Sequence, residues 1–203
     1  MPPEPWEQLG SEPAFDDPYF RVRRDTLRLP NGRIVDDYLV SELTDYALAV
    51  AVTPARQVVL VRQWKQGVRR ITLELPGGMI DDGETAAAAA ARELREETGF
   101  AASSLENLGS FDVDASKAAN QGHVFLAVGA ERLHEPEAHE MEAPEVVLAP
   151  LSTVPDLIDS GEICGGASVA GLLLALRRLL QQMPRYVPLP PRQWVGEPWT
   201  RRT

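Results

Sequence analysis

The stretch that most constrains this chain runs from Gly78 to Phe100 and reads GMIDDGETAAAAAARELREETGF. Its centre is an alanine run followed by arginine, glutamate and leucine, residues that lose little on entering a helix, so a helix is predicted from about Glu84 to Thr98. Gly99 stands where a left-handed cap would end it. Inside that helix Glu93, Glu96 and Glu97 follow the spacing i, i+3, i+4 and share one face. They occupy its last turn and a half, where the helix dipole is negative and each acidic side chain is disfavoured by about 0.3–1 kcal/mol. The spacing alone supports two readings. A divalent cation could offset the repulsion, since hard magnesium prefers carboxylate oxygen; alternatively the face is solvated, with Arg92 pairing to Glu96 and Arg95 nearby.

The rest of the chain reads mostly as strands. FRVRRDTLRL and RIVDDYLVSE flank Pro30-Asn31-Gly32, where asparagine-glycine supplies the positive φ of a tight hairpin. YALAVAV, QVVLVRQW, ITLEL, NLGSFDV, HVFLAVGA and EVVLAPL are short apolar or alternating runs of strand character. VPDLIDSG predicts a short helix, and ASVAGLLLALRRLLQQ an amphipathic one with Ser168 near its start as a capping candidate. The prediction is an α/β (α+β) protein in three stretches. These are an N-terminal antiparallel β segment over 1–45, a main domain over 46–183, and an extended tail over 184–203 in which prolines 184, 188, 190, 191 and 198 exclude a continuous helix.

Charge and composition narrow the function. Thirty acidic against twenty basic residues give a net charge of -10, which argues against nucleic acid as a partner. VAGLLLAL, the most apolar stretch, is too short to cross a bilayer, and the start lacks a basic segment followed by an apolar one, so the expected compartment is the cytosol with no membrane partner. The single cysteine, Cys164, excludes an internal disulfide and is expected to be a buried or half-buried thiol.

Gly78, Glu84, Arg92, Glu93, Leu94, Glu96, Glu97, Gly99 and Phe100 match every fixed position of G-x5-E-x7-R-E-U-x-E-E-x-G-U, where U is bulky and apolar. The chain thus resembles the Nudix hydrolases. The resemblance implies an α/β/α sandwich with a mixed sheet and magnesium-dependent cleavage of a diphosphate bond, manganese being the alternative cation. It implies Glu93 and Glu97 as principal metal ligands, Glu96 as ligand or holder of a metal-bound water, the Gly77 carbonyl completing the shell, and Arg92 holding a glutamate in place. Glu84 is either structural or a support for the metal cluster.

RQWKQGVRRITLELPGG before this box and EVVLAPLSTVPDLIDSGEICGGASVAGLLLAL after it resemble the ADP-ribose and nucleotide-sugar pyrophosphatase branch. That branch implies a small nucleoside diphosphate substrate and a homodimer whose N-terminal strands pack between protomers. In HEPEAHEMEAPEVV, Glu140 matches the general base and Glu142 an additional metal or water ligand, an exposed acidic loop being the alternative. Arg62, Arg69 and Arg70 are candidates for clamping the diphosphate and Trp64 for stacking on a base; surface charge and ordinary packing are the alternatives. FDVDASKAANQGHVF replaces the SPG-like segment typical of ADP-ribose pyrophosphatases, so recognition of the terminal ribose does not follow from the resemblance. A GDP-mannose pyrophosphatase, a catalytically silent nucleotide sensor and an RNA-decapping enzyme are the rival functions; the intact box opposes the second and the acidic chain the third.

Overall fold

The computed structural model describes residues 2–137 and 144–182. Glu140, Glu142 and the predicted tail lie outside them.

Three antiparallel strands, β1 (Glu7–Asp17), β2 (Phe20–Arg28) and β3 (Ile34–Ser41), form the first sheet. The predicted hairpin joins β2 to β3, with Gly32 at φ 82° and its amide donating to the Leu29 carbonyl. β1 was not predicted. Its residues are exposed on both faces, so it carries no apolar alternation, and Pro13 is tolerated at a register irregularity on an edge strand.

The second sheet begins with β4 (Tyr46–Val52), β5 (Gln57–Lys65), β6 (Arg70–Glu74) and β7 (Gly77–Met79). After the helix α1 (Ala86–Thr98) come a short β8 (Phe100–Ala101), β9 (Glu106–Asp112), β10 (Gln121–Val128), β11 (Glu131–Arg132), which pairs with β8, and β12 (Glu145–Pro150). Two helices follow, α2 (Val154–Asp159) and α3 (Gly166–Gln182). The strand order is β12-β5-β4-β10-β9, with β4 and β10 parallel and the remaining pairs antiparallel. This is a mixed sheet.

Alternation along β4 decides what covers each face. Leu48, Val50 and Val52 turn toward Val154, Ile163, Leu172 and Ala175 of the α2–α3 layer. Ala47, Ala49 and Ala51 turn the other way, against Ala89, Ala90 and Leu94 of α1. Methyl side chains on both partners let α1 lie close to the sheet, while each fully buried Val or Leu contributes roughly 1.5–3 kcal/mol. The result is the expected α/β/α sandwich.

Local chemistry trims the predicted helices. Thr85 takes the N-cap of α1 and accepts from the Ala88 amide at 3.2 Å, so the helix starts two residues later than Glu84. Gly99 closes it at φ 73°, and a Cβ there would overlap the His134 carbonyl. Ser168 lies inside α3 and does not cap it; its hydroxyl accepts the Leu75 amide at 3.0 Å and ties the end of β6 to the helix. Among the described residues, no helix is long and apolar enough to cross a membrane.

The segment that replaces the SPG-like sequence fastens the two sheets together. Ser41 donates its amide to the Lys117 carbonyl at 2.7 Å and accepts from the Ala119 amide at 3.0 Å. The Tyr38 hydroxyl donates to the Ser116 carbonyl at 2.6 Å, and the Lys117 ammonium sits 3.6 Å from the centre of the Tyr38 ring.

Candidate active site

β5 leaves β4 after two paired residues and continues against β6, while β7 takes over the vacated part of β4. Leu75 and Pro76 alone connect β6 to β7, and no ladder joins the two strands among the described residues. The sheet therefore has a seam beside β7. The amides of Ala49 and Ile80 donate across β4–β7 to Pro76 and Asp45, so the intervening Leu48–Gly77 pair is a non-hydrogen-bonded one. Both the N–H and the carbonyl of Gly77 consequently face away from β4 toward the seam. The Gly77 amide meets Glu97 Oε2 there at 2.9 Å.

Next to it, Gly78 gives its missing side chain's place to Glu93. A Cβ at Gly78 would overlap Glu93 Oε1 and stand 2.6 Å from its Cδ. Glycine is required here for close approach, since Gly78 has no positive φ.

Arg92 organises the remaining carboxylates. Its Nε and Nη2 grip both oxygens of Glu84 at 3.1 and 3.0 Å, Nη1 donates to Glu93 Oε1 at 2.7 Å and Glu96 Oε2 at 3.2 Å, and Nη2 also donates to the Met79 carbonyl at 2.9 Å. These contacts use every donor a guanidinium has. Arg92 is therefore committed to the scaffold, and its hydrogen bonds to Glu84 raise its own pKa further while lowering that of Glu84. Burial pushes the Glu93 carboxyl up, a shift only partly opposed by Arg92. Glu84 also accepts the Asp81 amide at 3.2 Å, which makes it a brace for the loop before α1.

As drawn in around Arg92, no three His, Cys, Asp or Glu side chains among the described residues form a ready metal cage. The donor set still has the chemistry a hard divalent cation needs. Three carboxylates share one helix edge, Arg92 engages only Oε1 of Glu93, and the Gly77 carbonyl points to the same seam. Glu93, Glu96, Glu97 and Gly77 could hold such an ion.

The predicted substrate residues divide. Arg62 pairs with Leu73 of the α3-side core, and Trp64 follows at i+2, so both sit on the sheet face opposite α1. Arg62 is held by Glu145 at 3.0 Å, and Trp64 is exposed and donates to Gln66. Arg69 takes a positive φ of 53° in the turn between β5 and β6. Arg70 donates to Cys164 Sγ at 2.9 Å beside a cavity of about 130 Å³, also lined by Arg62, Thr72 and Glu162. Cys164 is exposed, contrary to expectation, because it follows α2 in a surface loop. Lys65, unsinglable by motif, lies on the α1 face with Glu74 at 3.6 Å; counting by twos from Val59 would have found it.

Glu140 and Glu142 lie outside the described residues. The Glu137 amide donates to the Glu96 carbonyl at 2.8 Å, and Glu145 pairs with Arg62.

Residues 43–161 match the model of the NUDIX domain, and residues 6–41 match that of the nucleoside diphosphate sugar hydrolase N-terminal domain. The chain is 33% identical over 170 residues to an ADP-ribose pyrophosphatase of Mycobacterium tuberculosis, covering 83% of this chain and 82% of that one. It is 30% identical over 172 residues to a CMP-5'-(N-acetyl-N-hydroxy-3-aminopropyl)phosphonate hydrolase of Streptomyces rubellomurinus, covering 84% and 82%. A solved structure, described as an ADP compounds hydrolase, superposes with a TM-score of 0.78 at 24% identity over 90% of this chain and 98% of that one, which supports the fold. The chain belongs to the Nudix family. Within it, it is a Nudix pyrophosphohydrolase.

Proposed function

We propose that this enzyme hydrolyses the diphosphate bond of a nucleoside diphosphate derivative, with ADP-ribose or an ADP-sugar as substrate and magnesium as cation. The carrying observation is that Glu97 and Glu93 of α1 meet Gly77 and Gly78 of β7, while Arg92 holds Glu93 and Glu96 beside them. The adenine assignment leans on the relative named as an ADP-ribose pyrophosphatase. A bound divalent cation would neutralise the diphosphate and acidify a water molecule.

In the reaction, a water oxygen attacks one phosphorus, the bridging P–O bond breaks, and the water proton passes to a carboxylate. We assign that role to Glu140, with Glu142 as an additional ligand; the hydrogen bond from the Glu137 amide to the Glu96 carbonyl, just before them in the chain, supports this. For ADP-ribose the products are AMP and ribose 5-phosphate.

We further propose a homodimer in the cytosol, with residues 1–45 as its dimerisation segment and 46–183 as the catalytic domain. Leu9, Phe15, Phe20 and Ile34 are exposed on a three-stranded sheet that has little core of its own. Arg62 and Trp64, facing away from their own glutamates, would then contact substrate only across protomers. Arg69 and Arg70 are proposed as diphosphate contacts from the β5–β6 turn.

Purified enzyme should be screened with magnesium against ADP-ribose, ADP-glucose, GDP-mannose and a CMP-linked substrate. Glu97→Gln keeps an acceptor for the Gly77 amide, so the fold should persist while turnover falls by at least about a hundredfold. Turnover like wild type would sink the assigned metal role.

A further inference from the structure

Two buried oxygens near the seam have no partner among the described residues. Gln63 Oε1 and Thr72 Oγ1 make no hydrogen bond among the described residues, although the two residues are only 8% and 4% exposed. A buried oxygen left without a hydrogen bond loses its hydration and gains nothing in return. Two of them side by side call for a ligand.

Their position follows from the register. Gln63 and Thr72 are cross-strand partners in β5 and β6, so their side chains share a face. Val59, on the same parity as Gln63, packs against α1, which puts both oxygens on the α1 face of the sheet. Ala51 pairs with Val59; four residues further along each strand, where β6 and β7 come between them, stand Gln63 and Ala47. Ala47 in turn pairs with Gly78, the residue beneath the Glu93 carboxylate. Gln63, Thr72 and Gly78 therefore share the α1 face of the sheet, with the β6–β7 seam between Thr72 and Gly78. The Gly77 amide and carbonyl open into that seam from the other side.

The two groups are chemically complementary to one small ligand. The Gln63 carbonyl can only accept, whereas the Thr72 hydroxyl can donate. Partner side chains in such a pair stand about 5 Å apart at Cβ, and a water molecule can accept from Thr72 and donate to Gln63. Its second proton and remaining lone pair are left for the seam.

We propose that Gln63 and Thr72 are positioning residues of the hydrolytic site, seating an ordered water at the β6–β7 seam that orders the solvent facing Glu97 and the Gly77 carbonyl. This rests on the metal-site reading above. The pair stands one layer back from the reacting atoms and touches no substrate.

The test uses the full-length protein. In metal-free wild type, water-selective NMR should give cross-peaks of a long-lived water to the Thr72 methyl and the Gln63 side-chain amide. With magnesium and the best substrate of the screen, Thr72→Val and Gln63→Leu should lower kcat about ten- to a hundredfold, leave KM within about twofold, and melt within a few degrees of wild type. Thr72→Ser, which keeps the hydroxyl, should recover most of kcat. A bound water with unchanged kcat in both apolar variants would overturn the positioning role, and a kcat loss with no bound water would overturn the bridge. Equal loss in Thr72→Ser would also overturn the inference, since it would trace the effect to packing. Glu97→Gln separates the two levels: if it is inactive while the Gln63 and Thr72 variants behave as wild type, only this inference fails.

Discussion

Replacing Gly78 by alanine tests the geometry of the site more directly than removing a glutamate. The backbone accepts alanine, because Gly78 has no positive φ. The whole conflict is with Glu93, whose Cδ would stand 2.6 Å and Oε2 2.9 Å from the new methyl. Carbon contacts are comfortable from about 3.5 Å, so the carboxylate must withdraw by about 1 Å. Glu93 is the end of a flexible side chain, and moving it off its rotamer costs about 1 kcal/mol, a fall in Tm of about 2–4 °C for a domain of this size. Catalysis is far less tolerant, since a displacement of about 1 Å can cost about a hundredfold in rate, or about 2.7 kcal/mol of barrier. Thermal melting without metal and steady-state kinetics across a magnesium titration read the two effects separately. The expected pattern is a nearly native Tm, a kcat down by about two decades, and a higher magnesium requirement. Native kcat at ordinary magnesium would show that catalysis does not need Glu93 over Gly78, and would refute this geometry of the site. A large loss of Tm would equally refute the claim that only the carboxylate has to move.

Two other perturbations follow from the same structure. Arg92→Lys replaces five fixed donors by three on one nitrogen, so Glu84, Glu93 and Glu96 cannot all be held; kcat should fall by at least about tenfold, while a kcat within twofold of wild type would remove Arg92 from its organising role. Acid should loosen the N-terminal sheet first. Burial pushes the Asp25 carboxyl up, but hydrogen bonds from Ser11, Arg23 and Gln8 outweigh it and hold the pKa below the ordinary value. A depressed carboxyl stabilises the fold above its unfolded pKa of about 3.9 and loses that contribution as pH falls through the folded value. Hydrogen exchange below about pH 4 should release β1 and β2 amides before those of β4 and β10, and Asp25→Asn should remove that pH dependence.

Much of this protein is written in short-range chemistry. The alanine run, Gly99 and the glutamate spacing specify a capped helix with a carboxylate edge, because propensity, caps and i+4 contacts act within a few residues. The apolar run YALAVAV coincides with β4, and asparagine-glycine with the β2–β3 turn, for the same reason. β1 escaped detection because a strand exposed on both faces has no burial pattern to read. Ser168 looked like a cap because nothing in its neighbourhood announces the Leu75 amide, 93 residues away.

The acidic helix was legible from the start, yet what its edge can do was decided by pairing between distant strands. Strand parity sends Arg62 and Trp64 to the far face, brings Lys65, Gln63 and Thr72 to the near one, and turns the Gly77 carbonyl into the seam. A shift of one residue in any of those ladders would reverse each assignment. Local sequence could therefore specify the carboxylates and the cap, while the groups that face them depended on register, which is set only when the whole sheet and both covering layers are packed together.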